Sequence, residues 1–139
     1  MNKKILKSEP DLDFTLIAIT APLKDYRFCF KVNKQLNIEF YRVDELQLVF
    51  NSDEGAFYFS KYYYQDKQTG NEYFLLANKG SESFLIPEMK TVDYFLLIYN
   101  FIDKEDLKGI IAGLNKINEV LVAAEVDPKK LKSKENLVF

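Results

Sequence analysis

The sequence contains no histidine and no tryptophan, a single cysteine, and only two arginines (Arg27 and Arg42) among 19 basic residues. Each scarcity excludes some chemistry. Without histidine there is no Ser-His-Asp or Cys-His catalysis, no imidazole acid–base group and no His-containing metal site. Cys29 has no second cysteine to form an internal disulfide. It lies between Phe28 and Phe30, the setting of a buried small hydrophobe rather than a reactive thiol. Two guanidinium groups are a poor stock for reading phosphates or base edges. Only five glycines occur, and Gly70, Gly80, Gly109 and Gly113 are too isolated to build a phosphate-cradling loop between a strand and a helix. The longest apolar runs, Phe14–Ala21 and Tyr94–Tyr99, fall far short of the roughly 20 residues that span a bilayer. Ser8-Glu9-Pro10-Asp11 interrupts the N-terminus before the apolar core of a secretory signal could form. The expected compartment is the cytoplasm, with no membrane contact.

What is present is a core. Hydrophobic residues make up 47% of the 139, the net charge is −2, and Leu, Ile, Val and Phe supply about a third of the chain. That composition predicts one packed domain over residues 1–139, with a basic and then apolar tail at about 129–139. Phe14–Thr20 reads as a strand buried on both faces. Pro22 suits a helix start, and Leu23, Tyr26, Cys29, Phe30, Val32 and Leu36 form an apolar stripe running to about Asn37, with Asn33 beside it. A β-rich middle follows: Ile38–Phe50, broken by Asp44-Glu45; a turn at Asn51–Gly55; a hairpin of Ala56–Tyr64 and Glu72–Ala77; and a short strand at Ser83–Ile86. Pro87 ends that strand, and Tyr94–Tyr99 is another. Asp103 caps a second helix whose buried stripe is Leu107, Ile110, Ile111, Leu114 and Ile117. Gly109 and Gly113 give it a smooth face for close approach to the sheet or to a partner. Glu119–Val126 is the last strand.

The order β-α-β-β-β-β-β-α-β predicts an α+β fold with a mixed, largely antiparallel sheet and both helices on one face, ferredoxin-like in flavour. Parallel neighbours are expected at the two β-α-β ends. Strand alternation sets Phe57, Phe59 and Tyr63 on one face and Tyr58, Tyr62 and Tyr64 on the other. Such tyrosines could stack nucleic-acid bases, but Lys61 and Lys67 are offset by Asp66 and Glu72, so a core or protein interface is the expectation. Asp11-Leu-Asp13 and Ser52-Asp-Glu54 read as solvated turns rather than metal loops. No metal, cofactor or catalytic residue is assigned.

The segment Ile86-Pro87-Glu88-Met89-Lys90-Thr91-Val92-Asp93-Tyr94 resembles the signature of the bacterial IPExxxVDY family. The resemblance extends to Phe14–Ile19, Asp25-Tyr26-Arg27, Asn33 and the closing Asp127-Pro128 to Leu137. It implies a small bacterial cytoplasmic protein with no assigned reaction, cofactor or partner. The candidate binding residues are Pro87, Glu88, Asp93, Tyr94, Arg27 and Asn33. Their architectural reading has Pro87 ending a strand, Glu88 capping backbone N–H groups, Asp93 pairing with Arg27 or a lysine, and Tyr94 burying its ring. The expected function is a non-enzymatic protein-interaction module, plausibly a homodimer because 21 aromatic residues are more than a core this size readily hides. The alternatives are a binder of small ligands in a pocket between sheet and helices lined by Phe and Tyr, or an RNA- or ribosome-associated protein using the lysine-rich tail. In that tail, Leu137 and Phe139 are expected to dock.

Overall fold

The structure, a computed structural model, describes residues 12–49 and 55–139. Most of the Asn51–Gly55 turn, together with Asp11, Asp53 and Glu54, lies outside the described residues. The elements are β1 (Phe14–Thr20), α1 (Asp25–Leu36), β2 (Tyr41–Val49), β3 (Ala56–Gln65), β4 (Glu72–Ala77), β5 (Tyr94–Tyr99), α2 (Lys104–Asn115) and β6 (Val122–Val126). Short 3₁₀ turns occur at Pro87–Met89, Pro128–Lys130 and Lys134–Leu137. The six strands form one sheet in the order β2-β3-β4-β5-β1-β6.

The α+β class, the largely antiparallel sheet and the ferredoxin-like flavour hold. The expected parallel neighbours do not form, because every pairing among these strands is antiparallel. β1 pairs with β5 (Phe14↔Tyr99) on one side and with β6 (Leu16↔Val126) on the other. β5 and β6 therefore run the same way with β1 between them, joined by α2 as a split β-α-β unit. β1 and β2 also share a direction, separated by β5, β4 and β3, and α1 carries the chain from one side of the sheet to the other. This order places the two most apolar strands, β1 and β5, in the interior, where neither needs a polar face or a wet edge.

Each sheet face has its own core. On the helix face Ile17, Ile19, Leu75, Leu96 and Ile98 meet Phe28 and Val32 of α1 and Leu114 of α2. The opposite face holds Leu16, Phe59, Leu76, Phe95 and Leu97. Among the described residues no α-helix covers it; the loop between β4 and β5 (Leu85, Ile86, Val92) and the C-terminal tail (Leu131, Leu137) do. The tail docks as expected, with Leu137 fully buried, while half-exposed Phe139 sets its ring edge-on to Phe74 at 5.2 Å.

Several local expectations need correction. Pro22 does not open α1, which begins at Asp25; Lys24 is its N-cap, and no side chain caps it. The buried arc is Phe28, Cys29 and Val32, and this rotation leaves Tyr26 and Phe30 in water. Asn37 closes the helix in a left-handed conformation (φ 56°), where asparagine is better tolerated than most residues. Asp44-Glu45 is a β-bulge inside one continuous β2 rather than a break. The short strand at Ser83–Ile86 reduces to a single bridge, Lys79↔Phe84, and the last strand starts at Val122 rather than Glu119. Gly113 approaches a helix, not the sheet: a Cβ there would lie 2.6 Å from Leu36 Cδ2 of α1, whereas one on Gly109 would meet nothing.

Candidate functional site

The six candidate residues do not converge. Pro87 opens the 3₁₀ turn that laps over the helix-free face. Glu88 reaches the tail: one oxygen accepts from the Ser133 N–H at 2.8 Å and the other from the Ser133 hydroxyl at 2.9 Å. Partial burial pushes its carboxyl up, but the Ser133 bonds and nearby backbone N–H groups outweigh that and hold it below the ordinary value. Asp93 pairs with Lys79 at 2.8 Å, not with Arg27, and accepts from the Ala21 N–H at 2.7 Å, so it fixes the exit of β1. Tyr94 stacks on Phe28 (ring centroids 4.5 Å apart) and donates its hydroxyl to the Leu23 carbonyl. Burial, then the charges of Asp25 and Asp93, push that hydroxyl up. Asn33 holds the α1–β2 connection by donating to the Phe40 carbonyl at 3.0 Å and accepting from the Phe40 N–H at 2.8 Å. Arg27 stands exposed on α1.

The residue that organises the signature segment is Asn78. Fully buried, it donates to the carbonyls of Met89 and Val92 at 2.9 and 2.8 Å, and its oxygen accepts from the Ile86 N–H at 2.7 Å. In the sequence Asn78 falls between the runs Glu72–Ala77 and Ser83–Ile86, where nothing in the pattern marks an amide that will be buried. Asn71 is similar, donating to the carbonyls of Tyr99 and Phe101 beneath the β3–β4 turn.

Two other places bring chemistry together. The first is the corner where α1 crosses β2 and β3. Arg42 bonds Asp25 at 2.9 Å, Tyr62 and Ser60. Burial pushes the Asp25 carboxyl up, yet hydrogen bonds from Ser60, the Tyr26 N–H and Arg42 bring it below the ordinary value. Around this network Tyr26, Phe30 and Tyr58 are 62%, 66% and 52% exposed. Tyr26 and Phe30 share a side of α1 at i, i+4 spacing, and Asn33, three residues after Phe30, is tied to the start of β2. Tyr58 shares a face of β3 with Ser60 and Tyr62.

The second place is a groove of about 740 Å³ between α1, α2 and the β3–β4 turn. Phe40, Tyr64 and Tyr73 form one wall, at centroid distances of 6.0, 6.4 and 5.6 Å and mutually tilted. Asp66 lies at the turn, and Glu105, Asp106, Gly109 and Lys116 line the α2 side. This is a pocket of the kind foreseen between sheet and helices, but Arg27, Glu88 and Asp93 take no part in it. Burial, followed by the charge of Asp66, raises both tyrosine hydroxyls; Asp106 adds to the shift at Tyr73. Among the described residues no group of three or more Cys, Asp or Glu side chains is arranged to hold a metal ion, and no helix is long and apolar enough to cross a membrane. No family model and no curated protein matches the chain.

Proposed function

We propose that the protein is a non-enzymatic interaction module that holds a protein partner at the α1–β2 corner. The observation that carries this reading is the exposure of Tyr26, Phe30 and Tyr58 around the Arg42–Asp25 pair. Interface centres favour aromatic residues and arginine over lysine, and this patch has that composition. Tyr26 follows Asp25 in α1, Phe30 lies one turn further along the same helix, and Tyr58 lies two residues from Ser60 in β3, so each exposed ring adjoins the network through its own element. The docked tail disfavours the RNA-associated alternative, because Leu131 and Leu137 hold the lysine-rich segment against the domain rather than leaving it a free basic arm. A bacterial, cytoplasmic setting and membership of the IPExxxVDY family belong to the same proposal and rest on the resemblance of Ile86–Tyr94.

The test compares the wild type with a Phe30→Asp/Tyr58→Asp variant by affinity capture from native cells and mass spectrometry, after matching their melting temperatures. Proteins reproducibly held by the wild type and lost by the variant support the reading. The same proteins held by both, or none held by either, reject it. A second copy of the chain is the first partner to test. Light scattering at roughly tens of micromolar should then give about twice 16.3 kDa for the wild type and a monomer for the variant.

A further inference from the structure

We propose that the outer edge of β6 is a latent docking strip for β6 of a second copy of the chain, and that Asn115 holds it shut. The sheet ends at β6, which pairs with β1 on one side only. At Ala123 the outward backbone groups are already taken. The carbonyl accepts from the Asn115 amide at 2.9 Å, and the N–H donates to the Asn115 oxygen at 3.0 Å. Asn115, the last residue of α2, thus makes the reciprocal pair of bonds that a neighbouring strand would make. Two residues on, about 7 Å along the strand, alternation turns the Glu125 N–H and C=O to the same open side.

The two edges of the sheet are guarded differently. An exposed edge invites pairing with another chain unless charge, proline, a bulge or a cover prevents it. β2 has the Asp44-Glu45 bulge, and Arg42, Asp44 and Glu45 stand along it. β6 reads Val-Ala-Ala-Glu-Val, with no lysine, no proline and no register shift against β1. Leu121 and Val122 at its start are 71% and 50% exposed. Among the described residues, the Asn115 amide is what covers that edge.

The strip matches itself, which commits it to a second copy. Antiparallel pairing of two β6 strands centred on Ala124 sets Val122 opposite Val126 and Ala123 opposite Glu125 of the second copy. No like charges face each other in that register, and alanines at the centre let the backbones approach. Centring on Glu125 would set two carboxylates opposite each other, which is unfavourable. The favoured register needs both outward groups of Ala123, the ones Asn115 holds. Pairing and the Asn115 bonds therefore exclude each other.

The test adds substitutions to the full-length Phe30→Asp/Tyr58→Asp variant, which has no association through the α1–β2 corner, so the two readings fail separately. Light scattering at roughly 100 micromolar should give 16.3 kDa for that background and about twice this once Asn115→Ala is added. Asn115→Ser is the second variant should alanine disturb the fold. Glu125→Pro removes an outward N–H and leaves the β1 bonds in place, so it should return the Asn115 variant to a monomer. Ala124→Cys reads the register, because the two central residues form a non-hydrogen-bonded pair with Cα atoms about 4.5 Å apart, within reach of a disulfide. Mild oxidation should link the chains when Asn115 is replaced and leave them single when it is present, Cys29 being buried. Folded Asn115 variants that stay monomeric, a dimer indifferent to Glu125→Pro, or equal cross-linking with and without Asn115 would overturn the proposal. Asn115 would then only tie α2 to β6.

Discussion

A buried amide costs free energy unless its N–H groups and its oxygen are all engaged, and Asn78 engages them on Ile86, Met89 and Val92. Asn78→Ala strands two carbonyls and one N–H inside the fold and should lower stability by about 3–5 kcal/mol in urea unfolding. Arg27→Ala, at an exposed position, should change it by less than about 0.5 kcal/mol. A similar cost for the two would contradict the assignment of Asn78 as the internal brace of the signature segment. Glu88 is exposed, and its two bonds to Ser133 are worth about 1 kcal/mol together. Its folded pKa lies below the ordinary 4.5, so the contribution is complete above pH 4.5 and is lost as acid titrates the carboxylate below it. Glu88→Gln should therefore flatten that part of the acid limb of the stability–pH curve. Cys29 belongs at this scale too. Burial, then the charge of Asp25, pushes its thiol up to about 11, while a bond from Asn33 opposes them. The native protein should resist thiol alkylation at pH 8 and react at the usual rate once unfolded. Rapid native labelling would show that the α1–β2 connection opens.

The two helices show where pattern carried the reading and where it did not. β1, β4 and β5 have the bounds read from their apolar runs, and α2 has its Asp103 cap, which accepts from the Asp106 N–H at 2.9 Å. A hydrophobic run and a cap are local signals, so they survive folding unaltered. The rotation of α1 is not local. Phe28 and Phe30 are equally apolar in the sequence, and packing on Tyr94 decides which one is buried. Sheet order is likewise a tertiary choice: two β-α-β units look the same in sequence whether their strands are neighbours or are split by others. The motif residues were legible as a group worth naming, and their separate bonding partners were not, because Ser133, Lys79 and Leu23 lie far from them in the chain. Asp66, Tyr64, Tyr73 and Asp106 meet across the groove without any spacing that announces it. The α2 glycines give an element-level test. Gly109→Ala should raise stability by about 1 kcal/mol, since its Cβ enters open space, and Gly113→Ala should gain less or lose, since Leu36 must move. Equal gains would show that the α1–α2 approach is looser than the 2.6 Å contact implies.

At the scale of the whole molecule, the two faces of the sheet are closed by different means. Helices close one; a loop and a tail with little regular structure close the other. Segments of that kind have few backbone bonds of their own, so their order depends on the side chains they bury. For the tail these are Leu131 and Leu137, with Phe139 lying over Phe74 and under the Lys61 ammonium at 4.7 Å. Burying each leucine is worth about 1.5–3 kcal/mol before the cost of ordering the chain is subtracted. The tail is tied to the rest of that cover as well, through Glu88–Ser133 and through the Asn136 amide donating to the Leu85 carbonyl at 2.8 Å. Loop and tail therefore form one cooperative layer. Deleting residues 129–139 should lower the melting midpoint by roughly 5–10 °C and should also loosen the loop it touches. Hydrogen exchange would then report faster exchange at Leu85 and Ile86, with β5 still protected on its helix side. A truncated chain with an unchanged midpoint and unchanged protection at Leu85 would mean that the tail rests on the domain without stabilising it. The helix-free face would then depend on the loop braced by Asn78 alone.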